Sequence, residues 1–173
     1  ASVMEKLGVG TVQLPGGEIF GALEKGAIDA TEFSQPAIDQ RLGLHKIAKY
    51  NYFPGWHQQA TVFELLINKD AWGKMSKGQQ AMIETTCKAS MTNAIAEGES
   101  MQFEVMAKAE QNGVEIRYWN QTMLDTFESK WDEVVAEKTA ADPFFNKVWS
   151  DLSTFREGYN LWEANAFLPR AKK

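Results

Sequence analysis

Cysteine and histidine are nearly missing from this sequence of 173 residues, which holds one cysteine, Cys87, and two well-separated histidines, His45 and His57. A single thiol excludes an intrachain disulfide, and two distant imidazoles make a poor transition-metal cluster, so zinc chemistry is not expected. Cys87 lies at core spacing in a helical stretch and reads as a small buried hydrophobe rather than a nucleophile. Paired carboxylates, a phosphate loop and a nucleophile elbow are lacking, and Gly16-Gly17 is too short to cradle a phosphate, so an enzyme is not expected. There is also no basic block: 18 Lys and Arg are scattered among 23 Asp and Glu for a formal charge of -5, which argues against nucleic acid as a partner. No apolar run approaches the roughly 20 residues that span a bilayer. The chain opens at Ala1 with neither Met nor a basic-then-apolar leader, as expected of a processed chain or one cut from something longer.

What is present is enough apolar matter for one sizeable core, 44% of residues being hydrophobic and 12% aromatic. Ala1 to Leu7 reads as a helix end closed by Gly8, and Val9 to Leu14 as a short strand. After the turn at Pro15, Gly16 and Gly17, the spacing of Ile19, Phe20, Ala22 and Leu23 predicts a helix from Glu18 to Lys25. Gly26 stops it before a second strand from Ala27 to Phe33. This reads as a βαβ unit, and such units gather ligands at the carboxyl ends of their strands, here Glu32, Phe33, Ser34 and Gln35. A short helical or irregular segment from Pro36 to Leu44 leads to an aromatic strand from Ala48 to Phe53, broken by Pro54 and Gly55. The polar tract Trp56, His57, Gln58, Gln59 follows that break. Thr61 to Ile67 is a nearly continuous apolar strand with Glu64 its one charged residue, and it reads as largely buried.

Ser76 and Gln79 form a capping-box start, and no helix stop appears before Asn112 and Gly113. The implied helix, with Ile83, Cys87, Met91, Ala94, Gly98, Met101 and Val105 along one stripe, would run roughly 55 Å at 1.5 Å per residue. A lone domain of this size explains such a helix badly; it spans two lobes or meets a partner. After a strand from Val114 to Trp119, one helix carries Met123, Phe127, Trp131 and Val135 on a face. Asp142 and Pro143 open the next, whose stripe of Phe145, Val148, Leu152, Phe155, Tyr159 and Trp162 is most simply core. Arg170 to Lys173 reads as a frayed tail.

Three passages carry a family resemblance that covers almost the whole chain. The run Gly16 to Phe33, with its Gly-Ala-Ile-Asp-Ala-Thr-Glu-Phe ending, resembles periplasmic solute-binding proteins of tripartite ATP-independent (TRAP) transporters, the DctP type. Lys49 to Trp56 and Leu66 to Trp72 are similar to the subgroup that binds 2-oxo acids and related monocarboxylates, with Phe33 where Trp is common. The resemblance implies an α/β fold, the C-terminal portion of a two-lobed periplasmic binding protein of the type II-like class. Residues 1–47 would belong to the second lobe, 48–75 to crossover strands, 76–112 to a lobe-spanning helix and 113–173 to a strand and the C-terminal helices, the N-terminal lobe being absent. The function it implies is that of a periplasmic receptor for a small carboxylate, closing like a hinged clamp and delivering its ligand to TRAP membrane subunits. A homodimer through the C-terminal helices is also implied for part of the aromatic stripe.

Burying an anion requires an opposite charge and several hydrogen bonds. The resemblance implies that sodium or calcium bridges ligand and protein, Glu32 donating carboxylate oxygens and the Phe33 carbonyl completing the shell, as hard cations prefer. By itself Glu32 reads as an ordinary strand-end carboxylate. Gln58 or Gln59 is the candidate for hydrogen bonding ligand or ion. His57 is an alternative, and each of the three also fits a simple loop role. Trp56 and Phe33 would wall the site, or belong to the core. The family's anion-clamping Arg falls just upstream of Ala1; Arg41, Arg117, Arg156 and Arg170 stand in other contexts, so half a site is expected here. The rival from another class is a helical oligomerisation module with no small ligand, in which the long helix and aromatic stripes form an apolar interface.

Overall fold

The computed structural model describes residues 1–56, 58 and 61–168. Contacts divide the chain into two compact units, one made of Ala1–Gln13 with Gln121–Lys173, the other of Leu14–Asn120.

The first unit is helical: α1 (Ser2–Glu5), α6 (Gln121–Ala141) and α7 (Pro143–Ala166). Its core is small, with Val3 of α1 and Phe127 of α6 buried. Lys6 follows α1 and reaches Glu137 at 2.6 Å and Glu133 at 3.5 Å, tying that turn to α6. Asp142 caps α7 as its sequence predicts, accepting from the backbone N–H groups of Phe144 at 2.8 Å and Phe145 at 3.2 Å. The rings of Trp131 and Trp149 meet edge to face across α6 and α7, 6.0 Å between centroids. The core reading of the α7 stripe is corrected here. No residue of α7 is buried, and Phe155 and Trp162 are 67% and 62% exposed, because only part of one face meets α6.

The second unit contains α2 (Gly16–Glu24), α3 (Pro36–Arg41), a 3-10 turn at Leu44–Lys46, β1 (Tyr50–Phe53), α4 (Lys69–Lys74), α5 (Lys77–Ala107) and β2 (Glu115–Tyr118). The strands pair in parallel, Tyr50 opposite Glu115 and Phe53 opposite Tyr118. Both lie inside the strands expected from sequence. Tyr52 stacks on Trp119 at 4.5 Å, and Arg117 binds the Glu115 carboxylate at 2.8 and 3.3 Å while lying 3.7 Å over the Tyr50 ring. The helix stops fall where glycine predicts them: Gly26 and Gly113 take φ of 67° and 77°, a left-handed conformation that glycine adopts without steric cost.

The expected βαβ unit is not formed. Val9–Leu14, Ala27–Phe33 and Thr61–Ile67 run without helix or ladder, since a strand exists only by pairing and among the described residues only β1 and β2 pair. Residues 61–67 were expected to be buried, yet Phe63 is 92% exposed and Leu66 86%. The long helix does form, from the predicted capping box: Ser76 Oγ accepts from Gln79 N–H and Gln79 Oε1 from Ser76 N–H. It ends at Ala107, with a 3-10 turn at Glu110–Asn112, so its 31 residues extend about 46 Å rather than 55. Its stripe is buried less than its period suggests. Cys87 is exposed rather than core, and Met91 is 60% exposed.

Candidate functional site

Glu32 and Phe33 stand in the extended segment that leaves the α2 stop and enters α3, and three anchors in the second unit hold this segment. The first is the Phe33 ring, which lies over the start of α2 so closely that a Cβ at Gly16 would fall 2.8 Å from its Cε2 atom. Glycine at that helix start therefore makes room for the ring. The second is Gln102 of α5, whose side chain donates to Gln35 Oε1 at 2.9 Å and accepts from the Ala37 N–H at 3.0 Å. The third is Asp39 of α3, which interacts with the Ser34 backbone. Thr31 adds a hydroxyl donation to the Glu32 carbonyl at 3.2 Å.

Asp39 is also the electrostatic outlier of this region. Burial pushes its carboxyl up to about 6; the Ser34 backbone opposes this and the charge of Glu32 adds to it. Asp39 and His45 line a cavity of about 110 Å³ with Tyr50, Phe53, Val105 and Ile116. Within it, Asp39 Oδ1 and His45 Nδ1 are buried without a hydrogen-bond partner among the described residues.

The remaining candidates lie beyond the carboxyl end of β1, where the Phe53–Pro54 peptide is cis. Trp56 is half-buried and Gln58 exposed, its amide donating to Thr61 Oγ1 at 2.7 Å. His57 and Gln59 lie outside the described residues. Thus Glu32 and Phe33 share one anchored segment, whereas Trp56 and Gln58 follow the β1 end, where Gln58 is held by Thr61.

For a cation, the donors suit the ion in kind, since the Glu32 carboxylate and a backbone carbonyl are the oxygen ligands hard cations take. They fall short in number: among the described residues no group of three His, Cys, Asp or Glu could hold a metal ion. A cation here needs further oxygens from ligand, water or other protein groups.

The sequence reading missed Gln102, Asp39 and the role of Gly16. A signal for the first did exist. A helix starting at Pro36 with Gln35 in the capping position lacks the short Ser, Thr, Asp or Asn that would satisfy its first N–H groups, so a cap must come from elsewhere.

Comparison with known proteins agrees with this fold. The family model described as bacterial extracellular solute-binding protein, family 7 (DctP), matches residues 1–142. A monocarboxylate 2-oxoacid-binding periplasmic protein from Nostoc is 29% identical over 160 residues, 92% of this chain and 44% of that protein. Among solved structures, a TRAP transporter solute-binding protein from Bordetella bronchiseptica superposes with a TM-score of 0.83 at 26% identity, over 95% of this chain and 49% of that one. It is described as a mixed-occupancy dimer with calcium and picolinate in one site and the other site apo. TRAP periplasmic solute-binding proteins from Pseudoalteromonas atlantica, with sodium and pyruvate, and Colwellia psychrerythraea, with calcium and pyruvate, give TM-scores of 0.80 and 0.81. Both are 28% identical over 92% of this chain and 49% of theirs. The chain thus spans about half the length of the relatives it matches. It belongs to the DctP family of bacterial extracellular solute-binding proteins, family 7, whose members bind solutes in the periplasm and are not enzymes.

Proposed function

We propose that this chain forms one side of the ligand site of a periplasmic receptor for a small 2-oxo or hydroxy acid, which the receptor passes to TRAP membrane subunits. The observation that carries the reading is the anchored Glu32–Phe33 segment, built at the position where the family resemblance puts its ligand-binding acidic and aromatic pair. Glu32 supplies carboxylate oxygens and Phe33 a carbonyl to sodium or calcium shared with the acid. The cation would supply the positive charge that a buried carboxylate needs. Trp56 and the Phe33 ring shield the site from water, and His57, Gln58 or Gln59 hydrogen-bonds the acid or ion. Pyruvate-bound and picolinate-bound relatives support this ligand class.

The division of the chain follows the same reading: 1–47 in the second lobe, 48–75 as crossover strands, 76–112 as the spanning helix, and 113–173 as a strand with C-terminal helices. Residues 61–67, so exposed here, pack against the rest of the receptor. The α7 stripe meets a second copy, a reading that its bare apolar face and the dimeric Bordetella relative support.

Thermal melts test this, using the chain alone and the chain joined at Ala1 to the amino-terminal half of a relative, with pyruvate and lactate in sodium and calcium buffers. Stabilisation of the joined form, lost in Glu32→Ala, is the expected result. No response of either form to any acid or cation contradicts the receptor reading and favours the interaction module.

A further inference from the structure

We propose that Gln102 of α5 is a positioning residue for the ligand site: from 65 residues away it caps α3 and so fixes the Glu32–Gln35 segment to the long helix. This inference rests on the receptor reading above.

The argument starts from an orphan. Helix α3 begins at Pro36, which has no N–H, and its N-cap Gln35 makes no side-chain cap bond. The Ala37 N–H is thus an unsatisfied first-turn donor, and Ala37 is buried, 5% exposed, where leaving that donor unpaired would be costly. Gln102 resolves this with one amide. Its Oε1 accepts from Ala37 N–H at 3.0 Å, while its Nε2 donates to Gln35 Oε1 at 2.9 Å and to the Gly98 carbonyl of its own helix at 2.7 Å. The last bond holds the amide against its own helix and so orients its other bonds toward α3. Arg41 Nη2 against Met101 Sδ at 3.5 Å adds a neighbouring contact between the same two helices.

The consequence for the site is positional. Gln35 lies two residues after Phe33, so a shift of the α3 start moves the carbonyl and carboxylate offered to cation and acid. Outer partners that orient metal ligands commonly matter 10- to 100-fold in affinity. The tie also gives α5 a lever on the site: a change in the helix at Gly98 to Gln102 is transmitted to Glu32 through hydrogen bonds rather than through loose packing.

Gln102→Met keeps length and removes all three bonds; Gln102→Glu keeps the acceptor for Ala37 and can pair with a flipped Gln35 amide. Gln35→Met cuts only the tie to Gln35. These variants are measured for pyruvate affinity in calcium buffer, in the joined form, and for amide exchange across residues 32–37 without ligand. The expected result is roughly 10- to 100-fold weaker binding in Gln102→Met, only partly restored in Gln102→Glu, which keeps the Ala37 cap but loses the donation to the Gly98 carbonyl, with Glu32→Gln and Gln102→Met non-additive. Faster exchange at Ala37 and the 32–35 segment accompanies it. Wild-type binding that Gln102→Met leaves within twofold, or exchange unchanged in that segment, overturns the role of Gln102 alone. Absence of wild-type binding, with exchange altered as expected, overturns the receptor reading while the structural cap stands.

Discussion

Asp39 shows how one carboxylate ties this protein's stability to pH. Its pKa rises from an ordinary 3.8 to about 6 in the folded state, mainly through burial. Between those values the folded chain holds a proton that the unfolded chain has released, so the group's favourable contribution is complete below about 3.8 and is lost as pH rises through about 6. Asp39→Asn, which keeps an oxygen for the Ser34 backbone, should therefore raise the melting temperature at pH 7 to 8 and bring no gain near pH 4. Melts across that range decide it; an equal offset at every pH would contradict the burial argument. Gly16 makes a steric counterpart. Gly16→Ala puts a methyl 2.8 Å from the Phe33 ring, and the overpacking should cost about 1–3 kcal/mol in denaturant unfolding. Combining it with Phe33→Leu should recover most of that loss, as a direct clash between the two side chains requires. At this scale the sequence marked Glu32 and Phe33 through their place in a recognisable run. It gave no sign of Gly16 as the ring's neighbour, because that contact depends on how the segment folds back over α2.

Elements whose signals are local were legible. Ser76 with Gln79 and Asp142 with Pro143 named the starts of α5 and α7, since a cap is a contact between residues two or three apart. Ser76→Ala should accordingly cost about 0.5–2 kcal/mol of stability, measured by denaturant titration, and Asp142→Ala a similar amount. A loss below 0.3 kcal/mol at both sites would mean that neighbouring packing fixes these helix starts instead. Strands were less legible because their bonds go to distant residues. Tyr50–Phe53 and Glu115–Tyr118 found each other and became β1 and β2. Thr61–Ile67 has an equally apolar strand pattern and no ladder in this structure. Its composition records what the segment packs against in the receptor, as proposed, rather than anything its own neighbours supply. For α7 the helical period was read correctly, and the reading of most of its stripe as core was not.

For the whole molecule, the proposed receptor reading accounts for apolar faces that these described residues do not cover. If α7 is a contact between two copies, Phe155→Glu with Trp162→Glu should convert the joined receptor from dimer to monomer in sedimentation. An unchanged dimer would place the contact elsewhere. The central claim, that Glu32 and Phe33 hold an acid through a shared cation, is tested most directly by calorimetric titration of pyruvate into the joined receptor, with calcium or sodium present and then with both withdrawn. The account predicts binding that weakens at least tenfold without the cation and becomes cation-independent in Glu32→Gln. Equal affinity in all these conditions, with the Glu32 variant binding as well as the parent, would contradict it.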